Sequence, residues 1–278
     1  MNLFVVAEEG AGSVIYHSAN SGTTWTTVNI SLPTYTQVTD FAFSGTNIFV
    51  GTSVGVFLSV NNGTNWVEVN NGLTSTSVSA LVVSGTKLFA GTALGVFLST
   101  NNGTNWAEVN NGLANTDVRS LAASGTNLFA GANGVFRSTN EGQSWAKVSN
   151  GLTNSYIYSF AMSGSNIFAG TTNGVFLSTN DGASWTDVFS GLNDYVYSVA
   201  VSGTNIFAGF LNYGVYRSTD NGVNWTASSS GLAYFPVMCF ADSGTNLFVG
   251  TEGGGVSLST NNGNSWTAVN SGLGTYVY

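Results

Sequence analysis

Short apolar segments alternate with segments rich in glycine, serine and asparagine along the whole chain. The stretch 118–149 shows one unit, which reads VRSLAAS, LFAGA, NGVFRST and SWAKVS in order. Each segment is short, alternating or rich in β-branched residues, and is bounded by Gly or Asn, which is typical of strands rather than helices. The pattern therefore predicts four antiparallel strands per unit.

The unit recurs with a fixed period, marked by an octet of the form Ser-x-Asn/Asp-x-Gly-x-x-Trp. Its copies end at the seven tryptophans of the chain, which are separated by 41, 40, 39, 40, 40 and 41 residues. A period near 40 with several short strands per unit is typical of a propeller, whereas a leucine-rich solenoid needs a period of 20–29 and helical repeats need long helical segments. The octets occupy 18–25, 59–66, 99–106, 138–145, 178–185, 218–225 and 259–266, and end at Trp25, Trp66, Trp106, Trp145, Trp185, Trp225 and Trp266.

These repeats predict the fold and its closure. Because a four-stranded sheet with two apolar faces cannot bury both faces alone, we predict a single all-β domain over 1–278, a seven-bladed β-propeller of four-stranded antiparallel blades. NLF at 2–4 matches the second strand of other units, and TYVY at 275–278 matches DYVY at 194–197, the start of a first strand. We therefore expect the N- and C-terminal segments to pair. The continuation SVAVSGT (198–204) has no counterpart after 275–278, so this innermost strand is short or belongs to a longer chain.

The octet, for example STNNGTNW at 99–106, resembles the Asp-box of the BNR-repeat family. The resemblance covers essentially the whole chain and implies a propeller in which each octet is the turn between third and fourth strands, on the face opposite the usual ligand site. Gly103 is expected at positive φ, Asn101 in an Asx turn, and Trp106 between neighbouring sheets. The octets and their tryptophans are therefore predicted to be structural. With amides where calcium loops carry carboxylates, they predict no metal, and we expect no cofactor.

Comparison of the seven copies indicates where a ligand would bind. The copies differ most where the chain passes from a fourth strand to the next first strand, and there two variable residues flank a fixed Val or Ile. In a propeller these residues lie at the mouth of the central channel, opposite the octets. Tyrosine offers both an apolar face and a hydroxyl, which suits sugar rings and protein contacts. The alternative is that the tyrosines only fill space between blades. The predicted ligand-binding residues are Tyr156, Tyr158, Tyr195, Tyr197, Asp117, Arg119, Tyr276 and Tyr278.

The charge of the chain excludes several classes of partner. Charged residues make up 6%, the net charge is −8 and there are 5 basic residues, so the clustered Lys and Arg that grip nucleic acid are absent. No stretch reaches the ~18 apolar residues that span a bilayer. Solubility must rest on Ser, Thr and Asn, which favours a secreted or cell-surface protein whose signal peptide is removed or lies outside this sequence.

The sequence lacks most of the catalytic features of enzymes that carry similar octets. Sialidases, which share the octet, use three converging arginines and an Arg-Ile-Pro segment; the segment is absent, and Arg137 and Arg217 occupy the same third-strand position of separate units. Xyloglucanases also look similar, but use acids that face each other across two propellers. The similar photosystem II assembly factor works through a basic patch that is missing here. Carboxylates on the variable face, for which no spacing selects a hydrolytic pair, are Glu8, Glu9, Asp117, Asp194 and Glu252.

We therefore predict a non-catalytic binding or scaffold module, an interaction domain of an extracellular or surface-attached bacterial protein. It is expected to be a monomer and to contact a protein or glycan at the channel mouth, with no nucleic acid and no membrane insertion. Three alternatives stay open: a lectin-like glycan-binding propeller, a propeller related to glycoside hydrolases, which is the only enzymatic class worth testing, and an amplified or designed propeller with no ligand.

Overall fold

The computed structural model describes residues 2–10, 12–153, 156–189, 194–233, 236–244 and 246–274. Within these ranges the secondary structure consists of 27 strands without a helix, and the strands form antiparallel sheets. The chain is a seven-bladed β-propeller, as the repeat predicted. A helix long and apolar enough to cross a membrane is not found among these residues.

The strands pair in chain order within seven sheets, here called blades 1 to 7. Their bounds are β1 (Leu3–Glu9), β2 (Gly12–Ser18) and β3 (Thr26–Val28) in blade 1; β4 (Val38–Ser44), β5 (Asn47–Thr52), β6 (Gly55–Ser59) and β7 (Val67–Glu68) in blade 2; β8 (Val78–Ser84), β9 (Lys87–Thr92), β10 (Gly95–Ser99) and β11 (Ala107–Glu108) in blade 3; β12 (Ser120–Ser124), β13 (Asn127–Ala132), β14 (Gly134–Ser138) and β15 (Ala146–Lys147) in blade 4; β16 (Ile157–Ser163), β17 (Asn166–Thr171), β18 (Gly174–Ser178) and β19 (Thr186–Asp187) in blade 5; β20 (Val196–Ser202), β21 (Asn205–Phe210), β22 (Gly214–Ser218) and β23 (Thr226–Ala227) in blade 6; β24 (Val237–Asp242), β25 (Leu247–Thr251), β26 (Gly255–Ser259) and β27 (Thr267–Ala268) in blade 7.

The blades belong to two compact units. Residues Met1–Val28 together with Tyr158–Tyr278 form one unit, and Asn29–Ile157 form the other. The single domain over 1–278 stays a prediction.

Blade 1 begins with the second strand of the repeat, because β1 pairs with β2 as the second and third strands pair elsewhere. The segment 275–278, predicted to pair with it, lies outside the described residues. Blade 1 contacts blade 7 within their common unit: the backbone N–H of Trp25 donates to the carbonyl oxygen of Ser271 (3.0 Å), and its indole Nε1 donates to that of Val269 (2.7 Å).

Each octet folds into the same turn, which is held by hydrogen bonds between its own side chains and its own backbone. In the third blade the Ser99 hydroxyl accepts the N–H of Gly103 (2.8 Å) and donates to Oδ1 of Asn101 (3.0 Å), which also accepts the N–H of Asn105 (2.9 Å). Asn102 and Gly103 have φ of 56° and 81°. The second of these left-handed positions is the glycine that the sequence predicted, and the first is an ordinary residue in all seven copies, which are Ser21, Asn62, Asn102, Glu141, Asp181, Asn221 and Asn262.

In the third blade, the tryptophan that ends the octet joins its blade to the preceding one. Trp106 is 6% exposed in a core cluster built from blades 2 and 3. Its backbone N–H donates to the carbonyl oxygen of Asn71 (2.8 Å) and its Nε1 to that of Val69 (2.7 Å). Gly72 has φ 85°, and a Cβ there would collide with the carbonyl oxygen of Trp106. This contact, here called the tryptophan clip, is repeated by Trp25, Trp145 and Trp266.

A carboxylate links the first strands of blades 2 and 3, within the unit of residues 29–157. Asp40 in β4 is half-buried, and its Oδ2 accepts the N–H of Leu81 in β8 (2.7 Å) while Oδ1 accepts the N–H of Phe41 (2.8 Å). Burial raises the pKa of Asp40 to about 6, although these two hydrogen bonds lower it. Blade 5 makes the same link without a charge, because the Ser159 hydroxyl accepts the N–H of Val199 (3.1 Å).

Replacing Trp106 by alanine tests the clip. We expect Trp106→Ala to lower the free energy of unfolding by about 3–5 kcal/mol, because it removes a buried ring and leaves a cavity between two sheets. Trp106→Phe is the matched control: it keeps an aromatic ring and loses the Nε1 hydrogen bond, so a loss of only about 1–2 kcal/mol is expected. Denaturant titration measures both losses. A loss below about 1 kcal/mol in the alanine variant would show that the clip is not structural.

Asp40 predicts a pH dependence of stability. Because its pKa in the folded chain (about 6) is above its ordinary value of 3.8, the folded state binds the proton more tightly than the unfolded state between about pH 4 and 6. Stability from this group is therefore present at pH 4 and lost as the pH rises through 6, by at most about 3 kcal/mol.

The control is Asp40→Ser, which places at this position the residue of blade 5 and removes the titrating group. The difference in unfolding free energy between wild type and variant should favour the wild type more at pH 4.5 than at pH 7. A pH-independent difference would contradict the prediction.

Candidate functional site

Blade 6 shows where the variable residues lie relative to the octets. The start of β20 pairs with the end of β21, Val196 opposite Phe210, and the Tyr195 carbonyl oxygen accepts the N–H of Leu211 (3.0 Å). The octet of this blade begins at Ser218, the last residue of β22, and thus at the opposite end of that strand from Gly214, which pairs with Phe210. Tyr195 and the loop between β21 and β22 therefore lie at the end of the blade opposite the octet.

Three tyrosines from blades 5 and 6 form one aromatic group, here called the tyrosine cluster. The ring centroid of Tyr158 in β16 lies 6.1 Å from that of Tyr195 and 5.3 Å from that of Tyr197 in β20. The rings of Tyr195 and Tyr197 are 6.1 Å apart. Tyr195 is 42% exposed, whereas the other two are half-buried. Tyrosines on or directly before the first strands of adjacent blades thus form a group of tilted and edge-on rings, of which Tyr195 is exposed to solvent.

The surroundings of Tyr197 disfavour the ionised form of its side chain. Burial raises the pKa of Tyr197, and Tyr195, Asp194 and Glu252 raise it further because a phenolate would meet negative charge. Tyrosine is protonated at neutral pH even at its ordinary pKa of 10.0, so the Tyr197 hydroxyl is a hydrogen-bond donor there.

The loop beside the cluster is fixed by a buried carboxylate. Asp194 is 5% exposed and accepts the backbone N–H of Asn212 (2.8 Å) and its side-chain Nδ2 (3.0 Å). Sequence reasoning missed Asn212, whose only signal is that FLNYG at 210–214 departs from the other loops of the repeat. The pair holds the loop that carries Tyr213, whose side chain is exposed.

A second group of predicted site residues lies in the unit of residues 29–157. Arg119 donates from both Nη2 (2.9 Å) and Nε (3.1 Å) to Oδ2 of Asp117. Its guanidinium carbon also lies 4.2 Å from the ring centroid of Tyr156, a cation–π distance. Because the arginine is bound by a carboxylate and stacked on a ring, this group presents a neutralised polar surface.

The predicted residues are therefore found as two groups, each within its own unit. Tyr276 and Tyr278 lie outside the described residues. Whether any of them binds a ligand stays a prediction.

The carboxylates considered for hydrolysis are largely engaged with neighbours. Asp194 is held by Asn212 and Asp117 by Arg119, and Glu9 accepts a hydrogen bond from the Tyr16 hydroxyl. In the described ranges, groups of three or more His, Cys, Asp or Glu side chains that could hold a metal ion are not found. What the described sites offer chemically is aromatic stacking surface and hydrogen-bond donors.

Solved structures of other proteins share this architecture. YCF48 bound to D1 peptide matches with a TM-score of 0.68 and 15% identity over 86% of this chain and 82% of that chain. The extracellular domain of the hybrid two component system BT4673 from B. thetaiotaomicron matches with a TM-score of 0.73 and 16% identity over 92% of this chain and 38% of that chain. The GH74 xyloglucanase from Xanthomonas campestris matches with a TM-score of 0.72 and 15% identity over 98% of this chain and 56% of that chain.

These similarities establish the fold alone, because the identities are low. The chain spans less than two fifths of the sensor chain and just over half of the xyloglucanase chain. No curated protein matches the sequence.

A family model does match the sequence. The model described as the DUF6242 beta propeller domain matches residues 1–111 and 89–196, which together cover 196 of the 278 residues and therefore more than half of the chain. The chain therefore belongs to the DUF6242 beta propeller domain family.

Proposed function

We propose that this chain is a non-catalytic binding module of the Asp-box type, and that the tyrosine cluster is its contact surface for a protein partner. The observation that carries the proposal is the placement of three tyrosine rings on, or directly before, the first strands of two adjacent blades, with Tyr195 42% exposed. The equivalent positions in blade 3 hold Ser77 and Ser79. A blade therefore folds with small residues at these positions, so three aromatic rings are not required to complete it.

The chemistry of the cluster suits a protein contact. Tyrosine supplies large, rigid contact area together with one hydrogen-bonding group, and it is enriched among the residues that dominate binding energy at interfaces. The Tyr197 hydroxyl is protonated at neutral pH, so it can donate to a backbone carbonyl of the partner. The loop beside it is held by Asp194 and Asn212, which lowers the entropy lost on binding.

The comparisons support the class of partner and the location. One structural neighbour is bound to a peptide, and another is the extracellular domain of a two component system. With a charged fraction of 6% and solubility carried by hydroxyl and amide groups, the chain fits an extracellular or surface-attached location. On this proposal the module recognises a protein segment outside the cell.

A glycan is the second candidate ligand. The open face of Tyr195 suits the apolar face of a sugar ring, and the Tyr197 hydroxyl can donate to a sugar oxygen. The xyloglucanase neighbour acts on a polysaccharide, as its name states. Hydrolysis itself is not proposed, because Asp194 and Asp117 are committed to neighbouring groups.

Screening followed by substitution tests the proposal. The chain is screened against a displayed random-peptide library and a glycan array, and each hit is titrated against wild type, Tyr195→Ala and Tyr197→Ala. We expect the alanine variants to bind about tenfold more weakly, because a lost hot-spot tyrosine costs ~1–2 kcal/mol or more. A hit from the peptide library alone supports the protein partner, and one from the array alone supports the glycan.

Two further variants make the outcome interpretable. Tyr35→Ala removes a tyrosine that is 77% exposed and outside the cluster, so it should bind like wild type. Tyr197→Phe keeps the ring and removes the donor, so it separates stacking from hydrogen bonding. Denaturant titration confirms that each variant is folded. Unchanged affinity in both alanine variants, or no hit in either screen, would leave the tyrosines as packing residues and overturn the proposal.

A further inference from the structure

The contact between blades 4 and 5 shows how this chain holds a guanidinium group. Asp117 and Arg119 lie just before β12 of blade 4, and Tyr156 lies just before β16 of blade 5. The Arg119 guanidinium donates from Nη2 to Oδ2 of Asp117 (2.9 Å) and lies 4.2 Å from the ring centroid of Tyr156. A carboxylate and a tyrosine ring therefore hold the cation together, one through a charged hydrogen bond and the other through a cation–π contact.

The next pair of blades has the same arrangement with a ring in place of the arginine. Tyr158 occupies in blade 5 the position that Arg119 occupies in blade 4, and Tyr195 occupies in blade 6 the position of Tyr156. The ring centroids of Tyr158 and Tyr195 lie 6.1 Å apart. Blade 4 thus supplies a cation to the tyrosine of the next blade, whereas blade 5 supplies a second aromatic ring.

Carboxylates lie beside the rings of the tyrosine cluster. Asp194 directly precedes Tyr195 and is 5% exposed. Glu252 is half-buried at the corresponding end of blade 7, where its backbone N–H donates to the carbonyl oxygen of Pro236 (3.0 Å). Burial raises the pKa of Tyr197, and Tyr195, Asp194 and Glu252 raise it further, so both carboxylates act on this ring electrostatically.

The unit that carries the cluster is also strongly acidic. Its residues, 1–28 and 158–278, include eight Asp and Glu and one basic residue, Arg217, whereas 29–157 include five Asp and Glu and four Lys and Arg. Arg217 donates to Oδ1 of Asn264 (2.9 Å) in the octet of blade 7, at the opposite end of the blades from the cluster. The unit therefore has no further arginine or lysine to place on the tyrosine rings.

We propose that the tyrosine cluster recognises an arginine side chain of its protein partner, whose guanidinium stacks on the exposed ring of Tyr195 near the carboxylates of Asp194 and Glu252. The inference rests on the proposed role of the cluster as a contact surface for a protein. A guanidinium is planar, always charged and weakly hydrated, so it stacks on a ring more readily than an ammonium group does. The contact of Arg119 with Tyr156 is the example of this pairing within the chain itself.

Two matched peptide libraries test the proposal on the whole chain. Each consists of synthetic octapeptides with one central position fixed as arginine in the first library and as citrulline in the second, and with Arg, Lys and Cys left out of the random positions. Citrulline has nearly the shape of arginine but no charge. Peptides retained by the immobilised protein are identified by mass spectrometry, and each is then titrated in both forms by fluorescence anisotropy. We expect the citrulline form to bind about tenfold more weakly.

Substitution of Glu252 separates charge from stacking. Glu252→Gln removes one negative charge and leaves the three rings in place, so it should weaken the arginine peptides about threefold to tenfold and leave the citrulline peptides unchanged. Added salt should weaken arginine peptides more in wild type than in this variant. The matched control is Glu108→Gln, which removes the same charge from β11 in the other unit and should bind like wild type. Denaturant titration checks that both variants are folded.

Tyr195→Ala distinguishes failure of this inference from failure of the proposed function. Peptides that lose affinity in Tyr195→Ala but bind equally as arginine and citrulline forms would leave the cluster as a contact surface and overturn the arginine proposal. Arginine peptides that bind Tyr195→Ala as tightly as wild type would show that the guanidinium is held elsewhere, which also overturns it. So would an arginine library that is not retained at all.

Discussion

The tryptophan clip is the contact on which the outer edge of the blades depends. A fourth strand such as β11 (Ala107–Glu108) is two residues long and pairs with β10 at only two positions, too few to hold a sheet edge in water. The clip adds one buried ring and two hydrogen bonds between neighbouring blades at that edge. Surface ion pairs such as Lys87 with Glu141 and Arg119 with Asp117 do not replace it, because pairs at the surface contribute little.

The clip also explains why so much of the sequence is repeated. It needs a left-handed glycine in the octet, a second left-handed glycine such as Gly72 under the tryptophan carbonyl, and a backbone acceptor at a fixed distance along the preceding fourth strand. Each requirement fixes residues near the octet and along the outer strands. The opposite end of each blade carries none of these constraints. Residues there can therefore change without loss of the repeated blade structure, here called the frame.

The sequence predicted the frame because the frame is periodic and local. Strand positions, the octet turn with its Asx hydrogen bond and the positive φ of Gly103 all follow from short segments that repeat. Contacts that occur in only one blade could not be predicted in this way. Phe189 stands where other blades carry an Asn or Ser that bonds the third strand, and it packs on Trp225 at 5.4 Å instead, where Trp225 donates to Gly222 of its own octet. The stacking of Arg119 on Tyr156 and the bond of Asp194 to Asn212 likewise join residues whose proximity no pattern in one sequence encodes.

Comparison of equivalent positions in the seven blades also helps to locate residues with a functional role. Where every blade has the same residue, the physical requirement of the frame is a sufficient explanation, as it is for the glycines beneath the tryptophans. Where one blade departs, the other copies show what the frame alone would have accepted. Serine at the positions of Tyr195 and Tyr197 shows that packing does not demand tyrosine there. This departure adds side chains that the frame does not need. Side chains of that kind are the residues whose substitution separates binding from stability, because their loss leaves the repeated contacts of the blade in place.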